Sequence, residues 1–227
     1  MSLVERLTRD SPGLPAVRGF LHRPETAPRA ALVLTHGAGS DCSAPLLVAV
    51  AEEFCSAGIL VLRCDLPFRQ ARSHGPPLAS GAQDRAGLRR AVEVLRQLAV
   101  RDGTPVGVSL GGHSYGGRKA SMLAADEPAV TDRLLLLSYP FHPPNKPQQL
   151  RTAHFAKLRM PALFVQGTRD AFGTLEEITE ALALIPSRTR LLTIDGAGHD
   201  LGHGRHEVAR KVLQEWTVFA GSRTEVS

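Results

Sequence analysis

Short apolar runs, each closed by glycines or by a polar loop, recur along the chain and predict its β-strands. Continuous runs of this kind are typical of strands that are buried on both faces of a parallel sheet. A looser alternation of apolar and polar residues at 16–23 predicts one further strand near the start. The continuous runs lie at 30–35, 59–64, 105–109, 133–138, 162–166 and 190–194.

Between these runs, apolar residues recur every three or four positions, which is the spacing of an amphipathic helix. Leu88, Val92 and Leu95 show this spacing most clearly. Segments 69–80 and 139–147 contain polar residues and prolines and are predicted to be loops. The helices are predicted at 44–57, 84–98, 115–125, 175–184 and 208–219.

The alternation of strands and helices predicts the fold class. This order places the strands side by side in a mostly parallel sheet with helices on both faces, which is an α/β fold. With 227 residues, 43% of them hydrophobic and 22% charged, the chain is expected to form a single domain over 1–227. No linker, repeat or low-complexity block interrupts the pattern.

The composition indicates which classes of partner and which cellular compartment to expect. No apolar run approaches the ~20 residues that span a bilayer, and the first residues lack the apolar core of a secretory signal. Three widely spaced cysteines favour free thiols and a cytoplasmic protein. The net charge of +5 comes from scattered arginines without a stripe of stacking aromatics, so no nucleic acid or membrane partner is expected. The oligomeric state is left open.

One glycine-rich stretch, 106–118, carries the strongest chemical signal. Within it, Gly112-His113-Ser114-Tyr115-Gly116 fits the pattern G-x-S-x-G. A serine on a sharp turn between strand and helix has strained backbone, and the residues two positions away must lack side chains so that strand and helix can approach. The hydroxyl then stands at a helix N-terminus, where backbone N–H groups stabilise a developing oxyanion. Ser114 is therefore the predicted nucleophile.

Polar residues follow several of the predicted strands, and in a parallel sheet these positions share one edge. Ser114, Asp170 and His199 appear there in the chain order Ser, Asp, His. That order is typical of α/β-hydrolases and differs from the two common serine-protease orders. We expect His199, which follows the glycines at 196 and 198, to be the general base and Asp170 to orient it.

Other carboxylates near these positions are weaker candidates for the orienting acid. Asp195 and Asp200 are too close to His199 in sequence to hydrogen-bond its imidazole easily. Asp65 follows a different strand. The alternative role for Asp170 itself is a cap or turn residue before the next helix.

Several histidines near the end of the chain resemble a set of metal ligands. His199, His203 and His206, with Asp200, are close together in sequence. Intervening glycines would break the helix that aligns such ligands, so neither a metal nor a cofactor is expected.

The motifs around the strand ends also indicate a family. Over nearly its whole length the chain resembles the α/β-hydrolase superfamily, and segments 139–144, 165–173 and 196–200 carry a closer match to one branch of it. Within it, the chain is similar to the dienelactone-hydrolase-like branch that includes the testis-expressed protein thirty and the third regulatory subunit of the NSL acetyltransferase complex. Dienelactone hydrolase itself uses a cysteine nucleophile where this chain has Ser114, so its substrate is not carried over.

The remaining site residues are expected on loops at the same edge. The oxyanion hole should consist of the backbone N–H groups of Tyr115 and Ala38. Arg69, Arg72 and Arg118 are either solvated or meet a substrate carboxylate, as the dienelactone resemblance would imply. Five side chains either line a substrate pocket or form a packed loop cluster: Phe68, Tyr139, Phe141, Phe172 and Leu201. His36 is a further pocket candidate; it and His113 flank the site and are alternatively turn or core histidines.

These residues predict a serine hydrolase that acts on a small ester, thioester or lactone through an acyl-enzyme, with that small molecule as its partner. The connection after Ser138 is short, so no large lid is expected. Two alternatives remain: an interaction module on a hydrolase scaffold, as in some members of the resembled branch, and an acyltransferase that uses the same three side chains.

Overall fold

The computed structural model describes residues 3–77, 81–101, 107–202 and 205–221 of the chain. The strands are β1 (Leu3–Arg9), β2 (Val17–Arg23), β3 (Ala30–Thr35), β4 (Ile59–Cys64), β5 (Val108–His113), β6 (Leu134–Leu137), β7 (Ala162–Gly167) and β8 (Thr189–Ile194). The helices are α1 (Pro45–Ser56), α2 (Pro67–Ala71), α3 (Ala82–Arg101), α4 (Tyr115–Asp126), α5 (Leu175–Leu182) and α6 (Arg205–Gly221). Short 3₁₀ helices span Pro128–Val130 and Phe155–Lys157.

The eight strands form one sheet in the order β1-β2-β4-β3-β5-β6-β7-β8. The pairs from β4–β3 to β7–β8 are parallel, whereas β1 and β2 extend the sheet in antiparallel fashion at one edge. Because parallel strands end at a common edge, the loops that follow them meet there. Thr35 of β3 pairs with Gly112 of β5, which sets the loop after β3 beside the turn that follows β5.

Side chains of each inner strand alternate between two apolar layers. On β3, Leu32 and Leu34 pack with α1 and α6, while Ala31 and Val33 pack with α3 and α4 on the other face. Burial on both faces explains why the inner strands read as continuous apolar runs. The predicted mostly parallel sheet with helices on both faces is confirmed.

Two elements differ from the sequence-based prediction. β1 was not predicted, because it is an exposed edge strand in which Leu7 alone is buried and no apolar pattern forms. α2 falls in a segment that was predicted to be a loop. Pro67 begins it, and Phe68 and Arg69 are buried, but five residues are too few to show a helical period.

The strand before the serine turn also has different bounds. β5 continues to His113, beyond the predicted end at 109, although two glycines suggested that the turn had begun. A Cβ on Gly111 would lie 2.4 Å from the Leu135 carbonyl oxygen, so this glycine permits close approach of β6 rather than ending the strand. Residues 105–106 of the predicted strand and 78–80 of the predicted loop lie outside the described residues.

Cys42, Cys55 and Cys64 are free and buried. Burial raises the pKa of the Cys42 thiol to about 12, which holds it in the neutral form at pH 7. In the described ranges, no helix combines the length and the apolar character that crossing a bilayer requires.

Candidate active site

Ser114 occupies a strained turn between β5 and α4. Its φ and ψ are 51° and −116°, a region in which a residue with a side chain costs on the order of 1–3 kcal/mol. The glycines on either side explain how the turn fits. A Cβ on Gly112 would lie 2.7 Å from the Thr35 carbonyl oxygen, and one on Gly116 would lie 2.5 Å from the His36 carbonyl oxygen. A side chain at either position would therefore force the neighbouring backbone to move.

The structure brings Ser114, His199 and Asp170 together. His199 Nε2 lies 2.8 Å from Ser114 Oγ, and His199 Nδ1 lies 3.0 and 2.9 Å from the two carboxylate oxygens of Asp170. A carboxylate accepts hydrogen bonds, so Nδ1 carries the ring proton and Nε2 is free to accept from the serine hydroxyl. This arrangement can withdraw a proton from the Ser114 hydroxyl and return it to a leaving group.

The Asp170 carboxylate is fixed from two further directions. Gln166 Nε2 donates to Oδ2 at 2.6 Å, and the Phe172 backbone N–H donates to Oδ1 at 2.9 Å. The Asp170 side chain is fully buried, whereas that of His199 is 25% exposed. The carboxylate therefore holds the imidazole from inside the protein while the ring faces the open edge of the sheet.

Two aromatic rings hold the other sides of His199. Phe172 stacks on its imidazole with ring centroids 4.0 Å apart. The His113 ring lies 5.2 Å away, and its Nε2–H donates to the His199 carbonyl at 2.8 Å. Burial lowers the pKa of His113, so this ring is neutral. His113 thereby ties the serine motif to the loop that carries His199.

Two backbone segments lie beside Ser114: the start of α4 and the loop after β3. Tyr115 begins α4, and the first N–H groups of a helix have no acceptor within the helix. A Cβ on Gly37 would lie 3.5 Å from Ser114 Cβ, so the loop after β3, which continues to the partly exposed Ala38, runs directly beside the serine. These positions suit donors to an oxyanion.

The Tyr115 side chain anchors the start of α4 to its neighbours. Its hydroxyl donates to Asp84 Oδ2 at 2.7 Å, and Asp84 Oδ1 also accepts from the Phe68 backbone N–H at 3.1 Å. Phe68 packs edge-on against the Tyr115 ring with centroids 5.6 Å apart. Burial and the Asp84 carboxylate raise the pKa of Tyr115, so its hydroxyl stays a donor. The helix N-terminus is therefore rigidly placed.

Most of the sequence matches a known family. A family model described as an alpha/beta hydrolase domain matches residues 28–219. The chain belongs to the α/β-hydrolase family. The predicted α/β-hydrolase fold is confirmed, and between β6 and β7 the described chain holds one short 3₁₀ helix, Phe155–Lys157, rather than a large lid.

Solved structures share this α/β-hydrolase fold over nearly their full lengths. A dienelactone hydrolase from Anabaena variabilis is 22% identical, with a TM-score of 0.75 over 96% of this chain and 97% of that chain. An alpha-beta serine hydrolase homologue from Coxiella burnetii is 17% identical, with a TM-score of 0.74 over 93% and 96%. A lidless serine hydrolase from Xanthomonas campestris is 14% identical, with a TM-score of 0.70 over 97% and 96%.

Two residues predicted near the pocket of this α/β-hydrolase, Tyr139 and Phe141, are fully buried. Tyr139 and Phe141 pack with ring centroids 4.9 Å apart in an aromatic cluster beneath the strand ends, and the Tyr139 hydroxyl donates to the Arg151 carbonyl. They form the packed loop cluster that the sequence had left as the alternative. Phe68 is also nearly buried, and Phe172 is the pocket candidate that reaches the site.

His36 supports the loop after β3 from inside. It is fully buried, its Nδ1–H donates to the Gly37 carbonyl at 2.8 Å, and its Nε2 accepts from the Leu66 backbone N–H at 3.1 Å. Burial lowers its pKa, which keeps the ring neutral. Both nitrogens are occupied by backbone groups, which leaves neither of them for a bound molecule.

The other carboxylates are bound elsewhere. Asp65 accepts from the Cys42 backbone N–H at 2.7 Å, Asp195 accepts from the Thr168 hydroxyl at 3.3 Å, and Asp200 accepts from a backbone N–H in its own loop. Within the described ranges no group of three or more potential metal ligands is clustered. His203, which the sequence grouped with His199, lies outside the described residues.

Sequence reasoning missed several residues that shape the site. Gln166 is a polar residue at the end of an apolar strand, and that misfit was a usable signal for a buried partner. His113 stands inside the serine motif but was read as a turn or core histidine. Arg69 was read as a possible contact for a substrate, whereas its guanidinium binds backbone carbonyls.

Proposed function

We propose that this α/β-hydrolase is a serine hydrolase that cleaves a small carboxylic ester, thioester or lactone through an acyl-enzyme. Ser114 is the nucleophile, His199 the general base and Asp170 the residue that orients it. The observation that carries the proposal is the 2.8 Å contact between Ser114 Oγ and His199 Nε2, made while Asp170 holds Nδ1. The strained serine turn supports it, because a scaffold has no need for that strain.

In the first half of the reaction, His199 Nε2 accepts the hydroxyl proton as Ser114 Oγ attacks the carbonyl carbon. The carbonyl oxygen becomes an oxyanion, which the N–H groups of Tyr115 and Ala38 stabilise. Asp170 stabilises the imidazolium that forms. As the tetrahedral intermediate collapses, His199 gives the proton to the leaving group and Ser114 carries the acyl group.

In the second half, His199 accepts a proton from water, and the resulting hydroxide attacks the acyl carbon. A second oxyanion forms in the same hole. Its collapse releases the carboxylic acid and returns the proton to Ser114. If another alcohol or amine takes the place of water, the same steps transfer the acyl group, which is the acyltransferase alternative.

A fluorophosphonate probe tests the nucleophile directly. Folded wild-type protein should be labelled, mass spectrometry should place the label on Ser114, and Ser114→Ala should remain unlabelled. An unlabelled wild type would favour the interaction module over the enzyme. Hydrolysis of graded p-nitrophenyl esters and a lactone panel, with and without added alcohols, then separates the substrate classes and distinguishes hydrolysis from transfer.

We also propose that the chain stands near the branch that contains the testis-expressed protein thirty and the NSL subunit. Its support is the resemblance at 139–144, 165–173 and 196–200. We infer that the protein works in the cytoplasm, because all three cysteines are free thiols. Cell fractionation with an antibody tests the location, and secretion would contradict it.

A further inference from the structure

Arg69 lies in α2, beside the loop that carries Ala38, and is only 9% exposed. Its guanidinium is bonded to backbone carbonyl oxygens of two different segments. Nη2 donates to Ala38 O at 2.7 Å and Nε donates to Ser40 O at 3.0 Å. On the other side, Nη1 donates to Ser73 O at 2.7 Å. The side chain therefore joins the loop after β3 to the segment after α2.

Two longer contacts complete the set. At 3.4 Å each, Nη1 reaches the Arg72 carbonyl and Nη2 reaches the Gly75 carbonyl. With the three shorter bonds they match the five N–H groups of a guanidinium. Arg69 has no donor left for a substrate carboxylate, contrary to one role that its sequence position suggested.

A cleft of about 380 Å³ lies between the two segments. Ala38 and Gly39 line one side, residues 73–76 line the other, and Arg69 lies between them. The Gly37 backbone runs beside Ser114, and the cleft begins at the next residue of the same loop, Ala38. With the Arg69 donors occupied by carbonyls, its walls suit an uncharged group.

The Ala38 loop faces open space on its outer side, since a Cβ added at Gly39 would meet nothing within 4 Å. The Ala38 N–H shares a peptide unit with the Gly37 carbonyl, which accepts from His36 Nδ1–H at 2.8 Å and from the Ser40 backbone N–H at 3.3 Å. The bonds from Arg69 to Ala38 O and Ser40 O fix the segment that follows, and Phe68 supports the guanidinium with its ring centroid 4.9 Å from the guanidinium carbon.

We propose that Arg69 is a positioning residue for the oxyanion hole, and that the cleft it braces receives an uncharged group of the substrate. This inference rests on the proposed function, since it concerns the same site. Arg69 touches neither the oxyanion nor the nucleophile. It acts by holding the Ala38 N–H where the tetrahedral intermediate needs it, before substrate arrives.

Arg69→Met tests the positioning role, with Arg72→Met as the matched control. The Arg72 guanidinium donates to the Pro76 carbonyl at 2.8 Å and is exposed, so its loss removes the same charge from the same segment. Arg69→Met should lower kcat about 10- to 100-fold with KM changed less than about threefold, because only transition-state stabilisation is lost. Arg72→Met should change kcat less than about twofold.

Two further readouts separate positioning from a role in folding. Guanidinium chloride at low millimolar concentration should restore at least about tenfold of the lost kcat in Arg69→Ala, because it can occupy the vacated space and bind the same carbonyls. The affinity for a trifluoromethyl ketone should fall in proportion to kcat/KM. If Arg69→Met does not fold, kcat of Arg69→Lys and the rescue experiment decide in its place whether Arg69 has the positioning role.

Gly39→Leu tests the cleft. The new side chain has room to enter it, so KM should rise at least about fivefold for longer esters while acetate esters are unaffected. Series that lengthen the acyl side and the alcohol side separately show which group the cleft takes. A KM that does not respond to Gly39→Leu for any ester would overturn the proposed subsite.

A failure of the positioning role can be told apart from a failure of the proposed function. If wild-type protein is labelled at Ser114 and hydrolyses esters, but Arg69→Met matches Arg72→Met in kcat, the positioning role is wrong and the proposed function stands. If wild-type protein is neither labelled nor active, the proposed function is wrong and the role of Arg69 in it is lost as well.

Discussion

Gln166 Nε2 donates a 2.6 Å hydrogen bond to Asp170 Oδ2, from a fully buried position near the end of β7. Gln166 thus fixes the carboxylate that holds His199. A neutral amide supplies the donor, so the carboxylate gains a partner without a second charge in the interior. Strand β7, which leads to Asp170, therefore also carries Gln166, the residue that orients the Asp170 carboxylate.

Gln166→Leu should lower kcat about 10- to 100-fold, since a buried charged group loses a hydrogen bond and the carboxylate can turn away from His199. KM should change little, because Gln166 lies behind the site. Steady-state kinetics on a p-nitrophenyl ester measure both. Gln97→Leu on the exposed face of α3 is the control for the same exchange of side chains. Equal kinetics in the two variants would show that Asp170 needs no such support.

Asp170→Asn should lower kcat by about 10³- to 10⁴-fold, because an amide can hold His199 in the wrong tautomer and cannot stabilise the imidazolium. The thermal midpoint should stay close to that of wild type, since the asparagine has the same shape. Asp195→Asn, in the exposed turn before His199, should be nearly silent. Turnover of Asp170→Asn within tenfold of wild type would remove this carboxylate from the catalytic set.

Gly116→Ala should destabilise the protein by about 1–3 kcal/mol, as a methyl group forced into a packed contact does. The added carbon would lie 2.5 Å from the His36 carbonyl oxygen and 2.6 Å from Thr35 Cγ2, so the α4 start or the loop after β3 must move. Urea unfolding monitored by circular dichroism measures the loss. Gly39→Ala, where space is open, should stay near wild-type stability, and an equally stable Gly116→Ala would argue against this tight turn.

Acid should destabilise the fold through His22. Burial and the neighbouring Arg63 lower its pKa from 6.5 to about 4, and Arg63 Nε donates to its Nε2 at 2.8 Å. In the unfolded chain, His22 becomes protonated near pH 6.5, whereas in the folded protein it becomes protonated only near pH 4. Stability is therefore lost as pH falls from 6.5 to 4, by at most about 3 kcal/mol from this residue.

His22→Gln checks that assignment, because glutamine keeps an acceptor for Arg63 but does not titrate. Unfolding free energies of both proteins at pH 7 and pH 5 give the comparison. The variant should lose less stability than wild type between these values. Equal losses would place the acid sensitivity elsewhere, for example at His154, whose pKa burial and Arg118 also lower to about 4.

The inner strands could be predicted from the sequence because burial on both faces leaves continuous apolar runs. The edge strand β1 could not, since it buries only Leu7 and carries no such pattern. The five-residue helix α2 was missed for the corresponding reason: its helical form depends on tertiary contacts of Phe68 and Arg69 rather than on a period.

The grouping of Ser114, Asp170 and His199 was predictable because sheet topology brings strand ends to one edge. Which way a loop side chain turns was not. Tyr139 and Phe172 both lie on loops that follow strands, yet one is fully buried and the other stacks on His199. Contacts between a side chain and distant carbonyls, such as those of Arg69, leave no mark in residue spacing.

The 2.8 Å bond from His113 to the His199 carbonyl has a consequence for how this fold can change over evolutionary time. It links Ser114 and His199 through residues of the serine motif and of the loop that carries His199. The segment at 73–76, which lines the cleft, takes no part in that link. Side-chain changes at 73–76 leave in place the backbone carbonyls that Arg69 binds, so they can alter what the proposed cleft admits while Ser114 and His199 keep their alignment.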